Sequence, residues 1–512
     1  MKRWIRRIAI ALLVLFLAGW AALYFWAREP YRPVVHIPAS GRVLLTGATV
    51  VDPATGAKTP GSFILMQGGR IVSVGTADPA AGDAAVQRID LAGRFVTPGF
   101  NDMHAHPLGD ADPSGTLGLM LANGVTGFRQ MHGSDAMLRQ RAESRLPTGQ
   151  LAPRALILPG GLLTPLNAST PERGIEAVRH QKERGADFIK IGMVSKPVLY
   201  AVLPEARRLG LPVAGHVPQG VDIVDAARRG MHAIEHLGPG GAALVACSTR
   251  QAELRRELDA IPVMKGPPFT IPYSDKLADA LLHRLIINPA AATTPADTRR
   301  RAIMIASFDE ARCRRMARAL RDAGNWQVPT LIRRKTTEQA DRPEFARDPA
   351  LRYLPPATLQ LWKDVTAEFV EKVPADARAL MRREYDLDLR LVKLFDEEGV
   401  PMLTGSDESG AWAVAGFSLH AEFDELAKAG LAPLRILRMT TSDAARFLGR
   451  TATMGRVAPG ADADLVVLDG DPTADVRNLH RIAGVVRAGF WHDRAALDRL
   501  LARIEAGKGY LK

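Results

Sequence analysis

The chain has 512 residues, with 67 Lys and Arg against 55 Asp and Glu for a net charge of +12, 47% hydrophobic and 24% charged residues, and two cysteines. This composition excludes a disordered chain, a disulfide-stapled mini-protein and a polytopic membrane protein, while the length allows one large barrel or several ordinary domains. Cys247 and Cys313 cannot build a thiolate zinc cluster, and sequence does not decide whether they pair, so any metal chemistry must use His and carboxylates. Lys2, Arg3, Arg6 and Arg7 carry part of the positive excess. No basic run interleaves with aromatics, which are 6% of the chain, so no nucleic-acid partner is expected.

From Ile8 to Trp26 there is no charged residue. At about 1.5 Å per helical residue this stretch spans roughly the 30 Å hydrocarbon core, which predicts a single-pass membrane anchor within residues 1–27. Basic residues precede it, so the positive-inside bias places the bulk of the chain on the extracytoplasmic, periplasmic-type side. The competing reading is a cleaved signal peptide with small residues from Ala18 to Ala22, although cleavable apolar cores run only about 7 to 15 residues. Residues 28–40, with three prolines and no helical or alternating period, read as a stiff tether.

Short β-rich runs punctuated by Gly, Pro and Asp occupy residues 41–95 and return at 450–494, which predicts one small β-sandwich domain built from both chain ends. Between them, residues 96–449 alternate strand-like and helix-like runs, the pattern of βαβ units on a parallel sheet. Eight strands are expected, ending near His106, Arg129, Leu158, Lys190, His216, His236, Thr330 and Asp407. Eight is the count of a (β/α)8 TIM barrel, an α/β fold whose functional groups sit at the C-terminal strand ends. Helix-like insertions of about 238–327 and 333–400 are long enough to cap the barrel mouth, and residues 495–512 form a terminal helix or tail.

His104 and His106 lie two positions apart, so a strand projects both imidazoles to one face, where they can chelate a cation or simply bond to carbonyls. Lys190 lies in the apolar run Phe188-Ile189-Lys190-Ile191-Gly192, where a lone ammonium is costly. Either a salt bridge compensates it, or the neutral amine adds CO₂ to become an anionic carbamate able to bridge two cations. His216 and His236 close two further strands, and Asp407 emerges after Gly405 and Ser406. Glu235, adjacent to His236, is expected on the opposite face, towards the helix layer. Four His, one Lys and one Asp at six strand ends form a nitrogen and oxygen donor set suited to Zn²⁺.

The runs VTPGFNDMHAHP (Val96 to Pro107), ADFIKIG, VAGHV, AIEHL, VPTLI and LTGSD resemble the amidohydrolase superfamily of metal-dependent hydrolases, in its imidazolonepropionase-like and prolidase-like branch. The tail GRVAPGADADLVVLDGDPTADV (Gly455 to Val476) is similar to it as well. The resemblance implies that His104, His106 and Asp407 hold one metal, that His216 and His236 hold a second, and that a carboxylated Lys190 bridges them. It departs from the branch at Arg129-Gln130, where an acidic residue commonly follows the Arg, and at His132, where a small residue is usual.

The function implied is hydrolysis of a C–N bond, of a dipeptide or N-acyl amino acid, by hydroxide formed between two Zn²⁺ ions, other divalent metals being alternatives. Asp407 is the expected proton acceptor and donor. His132 and Arg333 are weak candidates for substrate binding; Arg333, Arg334 and Lys335 follow the seventh strand, where a carboxylate-binding role competes with that of a solvated helix start. Rival functions are a mononuclear deaminase, a lactone or phosphotriester hydrolase, and a membrane-tethered binding protein without turnover. Oligomeric state is not readable.

Overall fold

The computed structural model describes residues 2–27, 35, 38–110, 113–147, 149–262, 266, 274–408 and 410–507. Most of the expected tether lies outside these residues. Lys2–Ala27 is one helix, and its span Arg3–Trp26, with an 18-residue window of mean hydropathy 2.5, is long and apolar enough to cross a membrane. Its apolar side chains are exposed among the described residues, as in a membrane anchor or signal sequence.

The β-branched runs near the N-terminus form strands β1 (Val43–Val51), β2 (Lys58–Gln67), β3 (Arg70–Gly75), β4 (Gln87–Asp90) and β5 (Phe95–Pro98). The central segment supplies β6 (Phe100–Ala105), β7 (Val125–Gln130), β8 (Arg154–Ile157), β9 (Ile189–Ile191), β10 (Val213–Gly215), β11 (Met231–Glu235) and β12 (Trp326–Val328). The chain closes with β13 (Leu465–Leu468), β14 (Ile482–Arg487) and β15 (Phe490–Asp493).

The first five and last three strands form one hydrogen-bonded sheet in the order β15-β14-β13-β5-β1-β2-β3, with β4 beside β1. Antiparallel pairing of β13 with β5, Val467 opposite Val96, joins the two chain ends. The sheet folds back on itself, since Ile71 of β3 exchanges backbone hydrogen bonds with Ala461 and Gly460, just before β13. The face so enclosed buries Leu45, Ile64, Met66, Val96, Leu465 and Val467.

The central strands run parallel in two groups, β6-β7-β8 and β9-β10-β11-β12. A parallel bridge between Leu163 and Ile191 joins the groups on one side. On the other, the segment Met402–Asp407 takes the place of an eighth strand: Met402 bridges Gln327, Met103 N–H donates to the Thr404 carbonyl at 2.9 Å, and Asp407 N–H donates to the His104 carbonyl at 2.7 Å. Only Met402 pairs in a regular bridge there. At Gly405 the backbone runs so close to its neighbour that a Cβ would lie 2.6 Å from that of His104, so a side chain is excluded. One buried apolar cluster takes Met103, Leu156, Phe188, Ala214, Ala233, Val328 and Leu403, a contribution from nearly every segment around the ring. This is a TIM-barrel-type α/β fold.

The two long insertions are helical. After β11 come Ala242–Cys247, Gln251–Asp259, Ser274–Ile287, Pro295–Ala306 and Glu310–Asp322; after β12 come Leu331–Glu338, Pro356–Lys372 and Ala375–Glu397. Cys247 and Cys313 form a disulfide within the buried core, pinning Ala242–Cys247 to Glu310–Asp322. The terminal helix Arg494–Glu505 packs on Pro113–Ala122, where Ile504 and Leu500 approach Gly118.

Candidate metal centre

His104 and Asp407 lie on neighbouring segments whose backbones bond directly, which brings two candidate ligands together before any side chain is considered. Asp407 Oδ1 lies 3.0 Å from His106 Nε2 and 3.4 Å from His104 Nε2, and its Oδ2 lies 3.7 Å from His236 Nε2. The imidazole ring of His236 stands 4.6 Å from that of His104 and 5.2 Å from that of His216. His104, His106 and Asp407 offer three donor atoms within 4.8 Å of one another, a spacing that suits a metal ion. Lys190 enters from β9, opposite Ala214 of β10, and is 2% exposed.

The electrostatics follow from burial. Desolvation holds the imidazoles of His104, His216 and His236 well below the ordinary histidine range. Burial also works against ionising Asp407, but the imidazoles of His104 and His236 and the bond from His106 outweigh it and keep the carboxyl well below its usual range. Burial brings the Lys190 ammonium down to about 8 against the opposing pull of Glu235 and Asp407. Among the described residues its Nζ has no hydrogen-bond partner. Of the two sequence-level explanations for this lysine, the direct salt bridge is therefore not the one observed.

Around these groups stands a layer that sequence reasoning missed. Glu235 is not turned towards the helix layer: it is fully buried, with Oε2 2.7 Å from His104 Nδ1 and Oε1 accepting from Arg129 Nη2 at 2.7 Å. The alternation that assigned it elsewhere fails because β11 ends at Glu235 and His236 turns into the left-handed region at φ 57°. Asp102 Oδ1 accepts the backbone N–H groups of His104 and Ser406, and the Ser406 hydroxyl donates to its Oδ2 at 2.5 Å. Glu408 Oε1 accepts the His106 N–H at 2.8 Å. Asp102 was within reach of sequence reasoning, since it stands two positions before His104 on the same strand face.

Gln130 accepts the Leu108 N–H and donates to the His132 carbonyl, so an amide does the local bonding at the position where an acid is common. His132 is half-buried at the end of β7. Arg333 is not a solvated helix start. It is buried, with Nη1 and Nη2 donating to the carbonyls of Ile287 and Ile286 and Nε 3.4 Å from Asp407 Oδ2. Arg334 is ion-paired with Asp388 at 2.6 Å, Glu338 at 2.8 Å and Glu384 at 3.3 Å, and Lys335 with Glu425 at 2.7 Å. These two cations are spent within the cap.

The donor set is nitrogen and oxygen only, the combination that suits Zn²⁺ and related divalent ions, and the buried Lys190 amine interacts electrostatically with His104, His216, His236 and Asp407. The residues fit such a centre.

The amidohydrolase family model matches residues 389–491, from the helix before Asp407 to the start of β15. Residues 389–491 thus resemble the amidohydrolase family. Among solved structures, the chain is similar to a bottromycin amidohydrolase at 25% identity and TM-score 0.63, over 95% of this chain and 93% of that one. It is similar in fold to a prolidase complexed with N-methylphosphonate-L-proline, at 22% identity and TM-score 0.58, over 88% of this chain and 100% of that one. It is also similar in fold to a molinate hydrolase, at 16% identity and TM-score 0.54, over 91% of this chain and 98% of that one. No curated protein sequence matches the chain.

Proposed function

We propose that the chain is a binuclear, metal-dependent amidohydrolase that cleaves an amide, peptide-like or cyclic amide C–N bond, with dipeptides and N-acyl amino acids as the substrate class. His104, His106 and Asp407 would hold one divalent cation, zinc in the first instance, His216 and His236 a second, and a carboxylated Lys190 would bridge both. The observation that carries this reading is the Lys190 amine, sealed from water without a partner, in a setting that also holds His104, His216, His236 and Asp407. Titrating near 8, it is neutral often enough at physiological pH to add CO₂.

Bound divalent cations supply Lewis acidity, acidifying water and polarising a carbonyl. The chain's own part is proton handling and orientation. Asp407, kept ionised by the surrounding imidazoles, accepts the proton of the attacking water as the C–O bond forms, and returns it to the nitrogen as the C–N bond breaks. His106 steadies the carboxylate at 3.0 Å through Oδ1. Arg333 Nε stands at Oδ2 and limits its rotation.

The barrel would work outside the cytoplasm, tethered by the N-terminal helix. The basic residues ahead of that helix favour this orientation, and the Cys247–Cys313 disulfide suits an oxidising compartment.

The test is metal content of the full-length protein reconstituted with zinc and bicarbonate, followed by a screen of dipeptides and N-acyl amino acids. About two equivalents of zinc, falling when bicarbonate is withheld, support the reading. One equivalent favours the deaminase, and none leaves a binding protein. Turnover of lactones or phosphotriesters alone would move the activity to ester bonds.

A further inference from the structure

Thr330, at the tip of β12, is the N-cap residue of helix Leu331–Glu338 and sits at φ 46°, ψ 50°. For a β-branched residue this left-handed conformation is an outlier and costs free energy. A threonine at an N-cap ordinarily turns its hydroxyl onto the second or third N–H of the helix, but Thr330 makes no such bond. Glu422 performs that duty instead, its buried carboxylate accepting the Ile332 N–H at 2.8 Å.

The freed hydroxyl has two neighbours, the Pro329 carbonyl at 2.8 Å and His236 Nδ1 at 2.6 Å. With the single hydroxyl hydrogen donated to the Pro329 carbonyl, the oxygen is left to accept from the ring. His236 must then carry its hydrogen on Nδ1. Its Nε2 keeps the lone pair, on the side where Asp407 Oδ2 stands 3.7 Å away.

We propose that Thr330 is a positioning residue for the metal centre: its strained backbone and surrendered cap hold His236 as the Nδ1–H tautomer, with Nε2 presented to a divalent cation. The inference rests on the binuclear reading above. The arrangement parallels that at His104, where a carboxylate rather than a hydroxyl accepts from Nδ1.

Three variants of the full-length protein separate the contributions of Thr330. Thr330→Ser keeps the hydroxyl, Thr330→Val keeps the shape without it, and Thr330→Gly eases the backbone without it. Zinc affinity is read by chelator competition after bicarbonate loading, and the His236 tautomer by ¹⁵N resonances of the metal-free protein, assigned by difference from His236→Gln. We expect Ser to match the parent. Val and Gly should each weaken one of the two zinc equivalents by roughly ten- to a hundredfold and show mixed tautomers. Parental zinc affinity in both Val and Gly, or an unchanged Nδ1–H tautomer in them, overturns the role of Thr330 while leaving the metal centre standing. A parent that takes up no zinc refutes the metal centre itself.

Discussion

Glu235 accepts the Nδ1 hydrogen of His104 across 2.7 Å, in a place neither residue shares with solvent. An ionised carboxylate can only accept, so the partnership fixes the tautomer and turns His104 Nε2 towards Asp407. The second oxygen of Glu235 is committed to Arg129, also fully buried.

Replacing Glu235 therefore has two separable effects. Glu235→Gln keeps an acceptor but loses the charge, and zinc affinity should fall roughly ten- to a hundredfold. Glu235→Ala also strands the Arg129 guanidinium, and denaturant unfolding should report a loss of about 3–5 kcal/mol. Parental stability of the Ala variant would show that the ion pair is not what holds Arg129 in place.

On the proposed mechanism, Asp407→Asn removes the proton acceptor and leaves an oxygen able to bind metal. We expect kcat to fall by roughly 10²–10⁴ with substantial zinc retained. Undiminished turnover at full metal loading would take the proton-transfer role away from Asp407.

Arg333 joins Asp407 to the end of the inserted helix Ser274–Ile287. A guanidinium so engaged does not select substrate carboxylates. Arg333→Ala should lower kcat alike for carboxylate-bearing and neutral substrates and speed proteolytic nicking within 274–287. A KM increase confined to carboxylate-bearing substrates would return Arg333 to the binding role.

The cap network predicts a pH response. Burial pushes the Glu338 carboxyl up to about 8 and that of Asp388 up to about 7, in spite of Arg334. Both folded-state values exceed those of an unfolded chain, so their stabilising effect is present at acid pH and is lost as the pH rises through 7 to 8. Thermal unfolding should show a lower Tm at pH 9 than at pH 6, and Glu338→Gln should flatten that slope. A Tm that climbs over the same interval would contradict the assignment.

The strand ends that carry His104, His106, Lys190, His216, His236 and Asp407 were legible in the sequence because a strand is local and its alternation short. What escaped was set at the strand tips. His236, Thr330 and Asp407 adopt left-handed backbone angles of 57°, 46° and 49°, and no period-two argument survives such a turn. Glu235 was misplaced for that reason, and Thr330 read only as the end of a strand. The Arg333 contact depends on where an insertion lands after folding, which spacing does not encode.

The pairing of β13 with β5 also bears on biogenesis. Residues ahead of the barrel complete their sheet only with residues that follow it, so an emerging chain carries an unsatisfied edge along β5 until the barrel has been made. Truncation after the barrel would make that interval permanent. Such a fragment should accumulate as aggregate, and anyone trimming this protein for crystallisation would do better to shorten the front than the back.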